Sequence, residues 1–74
     1  MTIELEIEKQ SKFTQTIRDA YNDNLDKNDS PSIDSLLESM RSLSLLYPIK
    51  AGRGGHHVWV SDMHNQRLAI IRFK

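Results

Sequence analysis

The residues from Gly52 to Trp59 carry the groups best suited to chemistry in this sequence. They read Gly-Arg-Gly-Gly-His-His-Val-Trp, which combines flexible backbone, a guanidinium, two imidazoles and a large aromatic ring. Glycine lacks a β-carbon, so a glycine-rich turn can adopt positive φ and lets a bulky ligand approach the backbone closely. An imidazole exchanges protons near neutral pH. The stretch therefore indicates a phosphate-binding site with acid-base groups beside it.

The glycine loop at Gly54 and Gly55 has two interpretations. In the functional one, its backbone amides cradle a phosphate while Arg53 supplies positive charge. In the structural one, the glycines make a tight connection between two strands. The loop is not a Walker loop, because no Gly-Lys-Ser/Thr follows it. It is not the RNA-clamping loop of a KH domain, because it joins strands instead of helices.

The two adjacent histidines cannot serve one site together. His56 and His57 are consecutive in a predicted strand, so their side chains point to opposite faces of the sheet. Trp59 falls on the face of His57. A zinc site made of His57, Asp62 and His64 is an alternative, because His64 follows in a short hairpin; neutral structural histidines are another. We expect no bound metal and no cofactor.

Opposite charges are separated along the chain, although the formal net charge is zero. Residues 1–40 carry four basic and nine acidic residues, a net charge of minus five. Residues 41–74 carry six basic residues and one acidic residue, a net charge of plus five. This asymmetry indicates a C-terminal half that binds a polyanion. The alternative is that the two halves pack against each other and neutralise their charges.

The spacing of apolar residues in the N-terminal half predicts one strand and two helices. Residues 2–8 alternate apolar and acidic side chains, as in an edge strand whose glutamates discourage further pairing or face cations. Helical spacing follows from Ser11, the expected N-cap, to Leu25. A second helix is expected to start at Ser30 and Pro31 and to extend to Leu43.

The C-terminal half predicts two or three strands. Pro48 lies in the apolar run 45–49, which favours an edge strand or an extended segment. A strand from about His57 to Ser61, a turn at 62–65 and a last strand over 66–73 form a hairpin. Strict alternation puts Leu68, Ile70 and Arg72 on one face and Arg67, Ala69, Ile71 and Phe73 on the other. The expected α+β fold is a small antiparallel sheet with two helices on one face, in the order β-α-α-β-β-β.

The length of the chain predicts a single small domain, residues 1–74, of modest stability. The sequence has no cysteine, so no disulfide or Cys-based zinc site supports the core, and we expect a homodimer or a hetero-complex. No apolar run approaches the roughly 20 residues of a membrane helix, and no leader pattern is present. We therefore expect a soluble, cytoplasmic protein without membrane contact.

The segment from Gly54 to Trp59, Gly-Gly-His-His-Val-Trp, resembles the Gly-Ser-His-His-x-Phe signature of HicA-type toxins. These are small ribonucleases that cleave messenger RNA and are neutralised by a HicB-type antitoxin. The resemblance spans about residues 32–73, from a predicted helix to the last strand. The chain differs from the family in having Gly55 in place of the serine, and in an extra strand and helix before the matched region.

The resemblance implies an RNA-binding protein or a metal-independent endoribonuclease of a toxin-antitoxin system, with an antitoxin-like partner. His56 matches the catalytic histidine and would act on the ribose 2′-hydroxyl or the leaving oxygen. The residues expected to bind RNA and phosphate are Lys50, Arg53, Gly54, Gly55, His57, Trp59 and Arg67, with Trp59 stacking a base. Two alternatives remain: a non-catalytic protein-interaction module or inhibitor, such as one that a mobile element encodes, and a nucleic-acid-binding regulator that uses the same basic strands.

Overall fold

A four-stranded sheet and two helices make up most of the chain. The computed structural model describes residues 2–74. In chain order the elements are β1 (Ile3–Ile7), α1 (Thr14–Lys27), α2 (Ile33–Leu43), β2 (Ile49–Arg53), β3 (His57–Asp62) and β4 (Arg67–Phe73). The predicted α+β class and the predicted order of elements are therefore confirmed.

All four strands pair in one antiparallel sheet in the order β1-β4-β3-β2. The first strand pairs with the last, so β1 and β2 are the two edges of the sheet. Apolar side chains of β1 pack toward the helices while its glutamates are exposed, as the alternating pattern predicted. β2 begins only at Ile49. Pro48, which has no N–H group for a ladder, lies just before it.

The start of α1 differs from its sequence signal. Ser11 does not cap the helix directly but forms a turn ahead of it. Its hydroxyl accepts a hydrogen bond from the Phe13 amide at 3.1 Å, and its amide donates to Thr14 Oγ1 at 2.9 Å. The helix then begins at Thr14. Phe13 and Ile17 are buried in the core, as their four-residue spacing predicted.

A serine pair caps α2, two residues after the predicted position. Ser32 Oγ accepts from the Ser35 amide at 3.1 Å, and Ser35 Oγ accepts from the Ser32 amide at 3.0 Å. This capping box satisfies two otherwise unpaired amides. The predicted start at Ser30 and Pro31 is wrong, because Ser32 competes for the same role and has the matching side chain three residues later. Within residues 2–74, no helix is long and apolar enough to cross a membrane.

The core lies between the two helices and one face of the sheet. α2 packs on β2 and β3, and α1 packs on α2 and β1. The largest fully buried side chains are Ile17, Leu36, Met40, Val58, Val60 and Ile71. A buried amide also joins the helices: Asn24 Nδ2 donates to the Ser35 carbonyl at 3.2 Å and to Ser39 Oγ at 2.8 Å. These bonds fix how α1 lies against α2, because moving either helix would leave a buried polar group unpaired.

Ion pairs join the acidic and basic halves of the chain across β1 and β4. The pairs are Glu4 with Lys74, Glu6 with Arg72 and Glu8 with Arg67. Lys74 lowers the pKa of Glu4, and Glu6 raises the pKa of Arg72. The glutamates of β1 therefore face cations of their own chain, as the neutralisation alternative describes.

Asp62 organises the turn between β3 and β4, which confirms the hairpin turn predicted at residues 62–65. Its carboxylate accepts hydrogen bonds from the amides of His64 at 2.8 Å and Gln66 at 3.0 Å. Asn65 in this turn has a φ of 65°, which asparagine tolerates better than most residues. The Gln66 amide, and after it the His64 amide, lowers the pKa of Asp62.

Replacing Asp62 with asparagine should remove a pH-dependent contribution to stability. Because the pKa of Asp62 is lowered by folding, its carboxylate stabilises the fold above the ordinary value of 3.8. That contribution is lost as the pH falls through the lower, folded-state value. We expect the wild type to be more stable than Asp62→Asn near pH 7, and the difference to shrink in acid. Urea unfolding at a series of pH values measures it, with Asp29→Asn as the control; a difference that does not change with pH would contradict the role of the carboxylate.

Candidate functional site

Residues 54–56 connect β2 to β3 in a tight hairpin. The Gly54 amide donates to the His57 carbonyl at 2.9 Å, and the Phe73 amide donates to the His56 carbonyl at 2.8 Å. None of the three glycines of the chain has a positive φ. The expectation that this loop uses positive φ is therefore wrong. The Gly54 amide is also engaged within the hairpin instead of pointing to a ligand.

Gly52 and Gly54 make room for the rings of the neighbouring strand. A β-carbon added to Gly52 would lie 2.3 Å from the Trp59 ring, and one added to Gly54 would lie 2.1 Å from the His57 ring. Both distances are far below van der Waals contact, so the two rings can pack here only against glycine. A β-carbon added to Gly55 would meet nothing within 4 Å. Two of the three glycines are thus explained by close packing.

The sheet divides the predicted site residues between its two faces. The pairing of β2, β3 and β4 puts Lys50, His57, Trp59 and Arg67 on the face away from the helices, which we call the open face. Arg53 and His56 lie instead on the helix side, near the start of α2. The two histidines therefore point in opposite directions, as the alternation predicted. The sheet separates His56 from Trp59.

A β-bulge brings Arg67 to the open face. The pairing of β3 with β4 shifts just before Ser61, so that Ser61 lies opposite Arg67. Leu68 enters the core, where it is 2% exposed, together with Ala69. Strict alternation had put Arg67 on the face of Ala69, away from Leu68. That prediction is wrong because the bulge changes the alternation at this point.

Trp59 occupies the middle of the open face. Its half-buried ring lies against Gly52, and its neighbour across the strand pair is Ile70. Ile70 is only 5% exposed although it faces away from the helices, so neighbouring side chains of the open face cover it. A shallow depression of about 300 Å³ adjoins the tryptophan and is lined by Trp59, Ser61, Asn65 and Arg67. It presents an aromatic ring, hydrogen-bonding groups and a guanidinium to one ligand.

The cations of the open face have partners of different kinds. Lys50 Nζ donates to Asn65 Oδ1. Arg67 pairs with Glu8, which leaves its side chain half-exposed. No ion pair within residues 2–74 includes Lys50. The ammonium group of Lys50 can therefore pair with an anionic ligand, whereas the guanidinium of Arg67 is already paired with a carboxylate.

His56 borders a second depression, on the helix side of the sheet. This depression, of about 330 Å³, lies between the first turn of α2 and the β2–β3 hairpin; we call it the His56 groove. Its lining residues are Pro31, Ser32, Ile33, Asp34, Arg53, His56 and Phe73. The His56 side chain is exposed. Arg53 Nη1 donates to Asp34 Oδ1 at 2.7 Å, so the guanidinium beside the imidazole is partly neutralised.

Two residues of these surfaces, Asn65 and Asp34, were not among the site residues predicted from the sequence. Asn65 accepts the hydrogen bond of Lys50. The sequence did indicate that Asn65 lies in the turn, because asparagine in a short hairpin often takes a positive φ. Asp34 lies in the first turn of α2, where carboxylates are common because their negative charge interacts favourably with the positive end of the helix dipole. Its tertiary partner, Arg53, follows only from the packing of α2 beside β2.

The histidines do not assemble the zinc site considered above. Within residues 2–74, no group of three or more His, Cys, Asp or Glu side chains is placed to hold a metal ion. His57 begins β3 and His64 lies in the turn beyond its other end. Six residues of strand span about 17 Å or more, too far for both to bind one ion. The alternative that combines His57, His64 and Asp62 is therefore wrong.

Similarity to known proteins gives no assignment for this chain. No family model, curated protein or solved structure matches it. The resemblance to HicA-type toxins stays a prediction that rests on the motif at residues 54–59. Residues 32–73, which carry that resemblance, correspond to α2 with its cap, β2, β3 and β4. Function is therefore inferred from the chemistry and the geometry of the residues themselves.

Replacing Gly52 with alanine should displace the Trp59 ring, because the added methyl group overlaps it. We expect the tryptophan emission to shift to longer wavelength and the free energy of unfolding to fall by about 1–3 kcal/mol. Trp59 is the only tryptophan, so its fluorescence reports on this contact directly. Gly55→Ala is the matched control and should change stability by less than about 0.5 kcal/mol. An unchanged emission spectrum in folded Gly52→Ala would rule out the close packing of ring and glycine.

Proposed function

We propose that the protein binds single-stranded RNA on the open face. The observation that carries the proposal is the position of two rings, Trp59 and His57, packed against glycines on a sheet face that neither α1 nor α2 covers. Lys50 and Arg67 lie on the same face. Unpaired bases stack on aromatic side chains, while cations hold the phosphates between them.

The spacing of the two rings suits separate bases of one strand. His57 and Trp59 are two residues apart on β3, so their β-carbons lie about 7 Å apart on the same face. Each ring can therefore receive its own base from a flexible single strand. A duplex offers no such contact, because its bases are already stacked on one another. The proposal is thus specific for unpaired nucleic acid.

The predicted RNA-binding cations of the open face, Lys50 and Arg67, are few, and one of them already has a carboxylate partner. This limits the electrostatic contribution to RNA binding. Lys50 has no carboxylate partner within residues 2–74, and Arg67 is shared with Glu8. Each phosphate that the protein neutralises on a single strand contributes about −0.7 to the slope of a plot of the logarithm of the binding constant against the logarithm of the salt concentration. We expect one or two such contacts and a slope of about −0.7 to −1.4. Stacking, at about 1–3 kcal/mol per base, should supply the larger part of the affinity.

Trp59→Ala tests the stacking surface. We expect a labelled single-stranded oligonucleotide to bind the wild type and to bind Trp59→Ala at least about tenfold more weakly, because one stacked base is lost. Trp59→Phe keeps a ring and should retain most of the affinity. Lys50→Ala should reduce the salt slope by about 0.7. Fluorescence anisotropy over a range of salt concentrations measures all of these variants.

His64→Ala is the control for this experiment, since His64 is exposed in the β3–β4 turn at the far end of β3. It should bind like the wild type, and circular dichroism should confirm that each variant is folded. If folded wild-type protein binds no polynucleotide, the proposal fails and the protein-interaction alternative takes its place. If Trp59→Ala binds as well as the wild type while Lys50→Ala does not, phosphate contacts alone hold the strand.

Cleavage of an RNA strand that enters the His56 groove is a second candidate function, favoured by the exposure of His56 beside Arg53. In this mechanism His56 takes the proton of a ribose 2′-hydroxyl. The 2′-oxygen then forms a bond to the adjacent phosphorus, and the bond to the 5′-oxygen breaks as that oxygen gains a proton. Arg53 stabilises the charge that develops on the phosphate. His56 also matches the catalytic histidine of HicA-type toxins, so this candidate includes an antitoxin-like partner.

His56→Ala tests the cleavage candidate. We expect wild-type protein to cut RNA and to leave 2′,3′-cyclic phosphate ends, without added metal. His56→Ala should lose about 100-fold or more of this activity, as expected when a general base is removed. DNA of the same sequence lacks the 2′-hydroxyl and should stay intact. Cleavage by His56→Ala at the wild-type rate would reject the role of His56. Binding to the open face should persist in this variant, so the two functions fail separately.

A further inference from the structure

Ser61 is a buried polar residue in the depression beside Trp59, which we call the Trp59 depression. The residue is only 7% exposed, and it lines the depression. In the part of the chain that the structure describes, residues 2–74, no hydrogen bond engages its hydroxyl group. Burying a hydroxyl without a partner costs free energy. The Trp59 depression therefore contains a hydrogen-bonding group that a ligand can engage.

Glu8 holds the Arg67 guanidinium by one edge and leaves another edge free. Arg67 Nε pairs with Glu8 Oε1, and Arg67 Nη2 donates to Glu8 Oε2 at 3.2 Å. A guanidinium has five N–H donors in a planar fork, and these contacts use one on each of two nitrogens. The donors that remain include the parallel pair on Nη1 and Nη2 at the tip of the side chain. The carboxylate thus fixes the plane of the guanidinium while it leaves a bidentate donor for a ligand.

Asn65 adds donors to the same depression. Its Oδ1 accepts a hydrogen bond from Lys50 Nζ, so the amide NH₂ is the part of the side chain left for a ligand. The guanidinium of Arg67 also only donates, and the hydroxyl of Ser61 can donate or accept. Beside the Trp59 ring, the depression therefore offers mainly donors. This chemistry matches a flat, aromatic ligand that has neighbouring acceptors on its edge.

We propose that the Trp59 depression binds a guanine base of the RNA strand and selects it over the other bases. The purine stacks on Trp59 while Arg67 donates two hydrogen bonds to its O6 and N7 atoms. The Ser61 hydroxyl gains a partner on the same edge of the base. The volume of about 300 Å³ lies at the small end of the range for ligand sites and suits a single base. The inference rests on the proposed binding of single-stranded RNA to the open face, and it names the base that is read there.

Guanine matches these donors better than the other bases do. Its O6 and N7 are neighbouring acceptors, so both N–H groups at the tip of the guanidinium find a partner. Adenine carries an amino group in place of O6 and would bring a donor against a donor. Uracil separates its two carbonyl oxygens by an N–H group. Cytosine has neighbouring acceptors at O2 and N3, but its single ring covers less of the indole.

The two cations of the open face then have different roles. Arg67 reads a base, and Lys50 remains to contact a phosphate. A single phosphate contact predicts a salt slope near −0.7, the smaller value of the range given above. Glu8 acts as a positioning residue, because it orients the guanidinium without touching the base.

Changing one base of the oligonucleotide tests the proposal on the wild-type protein. The probes are short oligouridine strands with one central nucleoside replaced, and fluorescence anisotropy measures their binding. We expect guanosine to bind about tenfold or more tightly than adenosine, cytidine or uridine at this position. 7-Deazaguanosine lacks the N7 acceptor and should bind about fivefold or more weakly than guanosine. Inosine keeps O6 and N7 and should bind like guanosine.

Arg67→Lys tests which residue reads the base. Lysine keeps the positive charge but lacks the planar fork. We expect the variant to bind oligouridine like the wild type and to lose the preference for guanosine. Arg18→Lys, on the exposed side of α1, is the matched control and should keep the preference. Circular dichroism should confirm that both variants are folded.

Glu8→Gln tests the positioning role. The neutral amide holds the guanidinium less firmly, so the preference for guanosine should fall severalfold. Binding of oligouridine should not weaken, because the charge of Arg67 is no longer paired. Glu4→Gln is the matched control: it removes the carboxylate that pairs with Lys74 and should leave the preference unchanged. An unchanged preference in folded Glu8→Gln would contradict the positioning role.

The outcomes separate guanine selection from the RNA binding on which it rests. If no strand binds the wild type, both proposals fail. If all strands bind equally and Trp59→Ala weakens them all, RNA binding stands and guanine selection is overturned. A guanosine preference that survives in Arg67→Lys, or a 7-deazaguanosine strand that binds like guanosine, would also overturn it. A preference for cytidine would overturn it in favour of a pyrimidine in the Trp59 depression.

Discussion

Two short helices can cover only one face of a four-stranded sheet, and this limit shapes the rest of the structure. α1 and α2 have 14 and 11 residues, and both pack on the same side. The other face has to shield its backbone with its own side chains. Trp59 and His57 do this by packing against Gly52 and Gly54. The same rings that complete the fold are thereby left where a ligand can reach them.

Because the first strand pairs with the last, the acidic and basic halves of the chain lie side by side and neutralise each other. β1 carries the glutamates and β4 carries the cations, so the two halves meet as neighbouring strands. Exposed ion pairs contribute only about 0–1 kcal/mol each to stability. Their larger effect is to remove the positive field that a polyanion would encounter. Within residues 2–74, Arg41 and Lys50 are the C-terminal cations outside any ion pair.

Local patterns in the sequence predicted the elements and their order, because the spacing of apolar residues depends on local backbone geometry. Other features depended on distant parts of the chain. The β-bulge before Ser61 has no local signal, so Arg67 was assigned to the wrong face. Ser30 and Ser32 both had the side chain of a helix cap, and only the match with Ser35 separates them. The need for Gly52 arises from Trp59 on another strand, which no reading of the loop alone reveals.

The contact between Gly52 and Trp59 also restricts how this sequence can change over time. A β-carbon at position 52 and a full indole at position 59 exclude each other in this sheet. Substitution at 52 first creates an overlap, whereas substitution at 59 first leaves only an empty space. The second order is therefore the more accessible evolutionary path. In any descendant that keeps this hairpin, we expect the two positions to vary together, with the aromatic ring lost before the glycine.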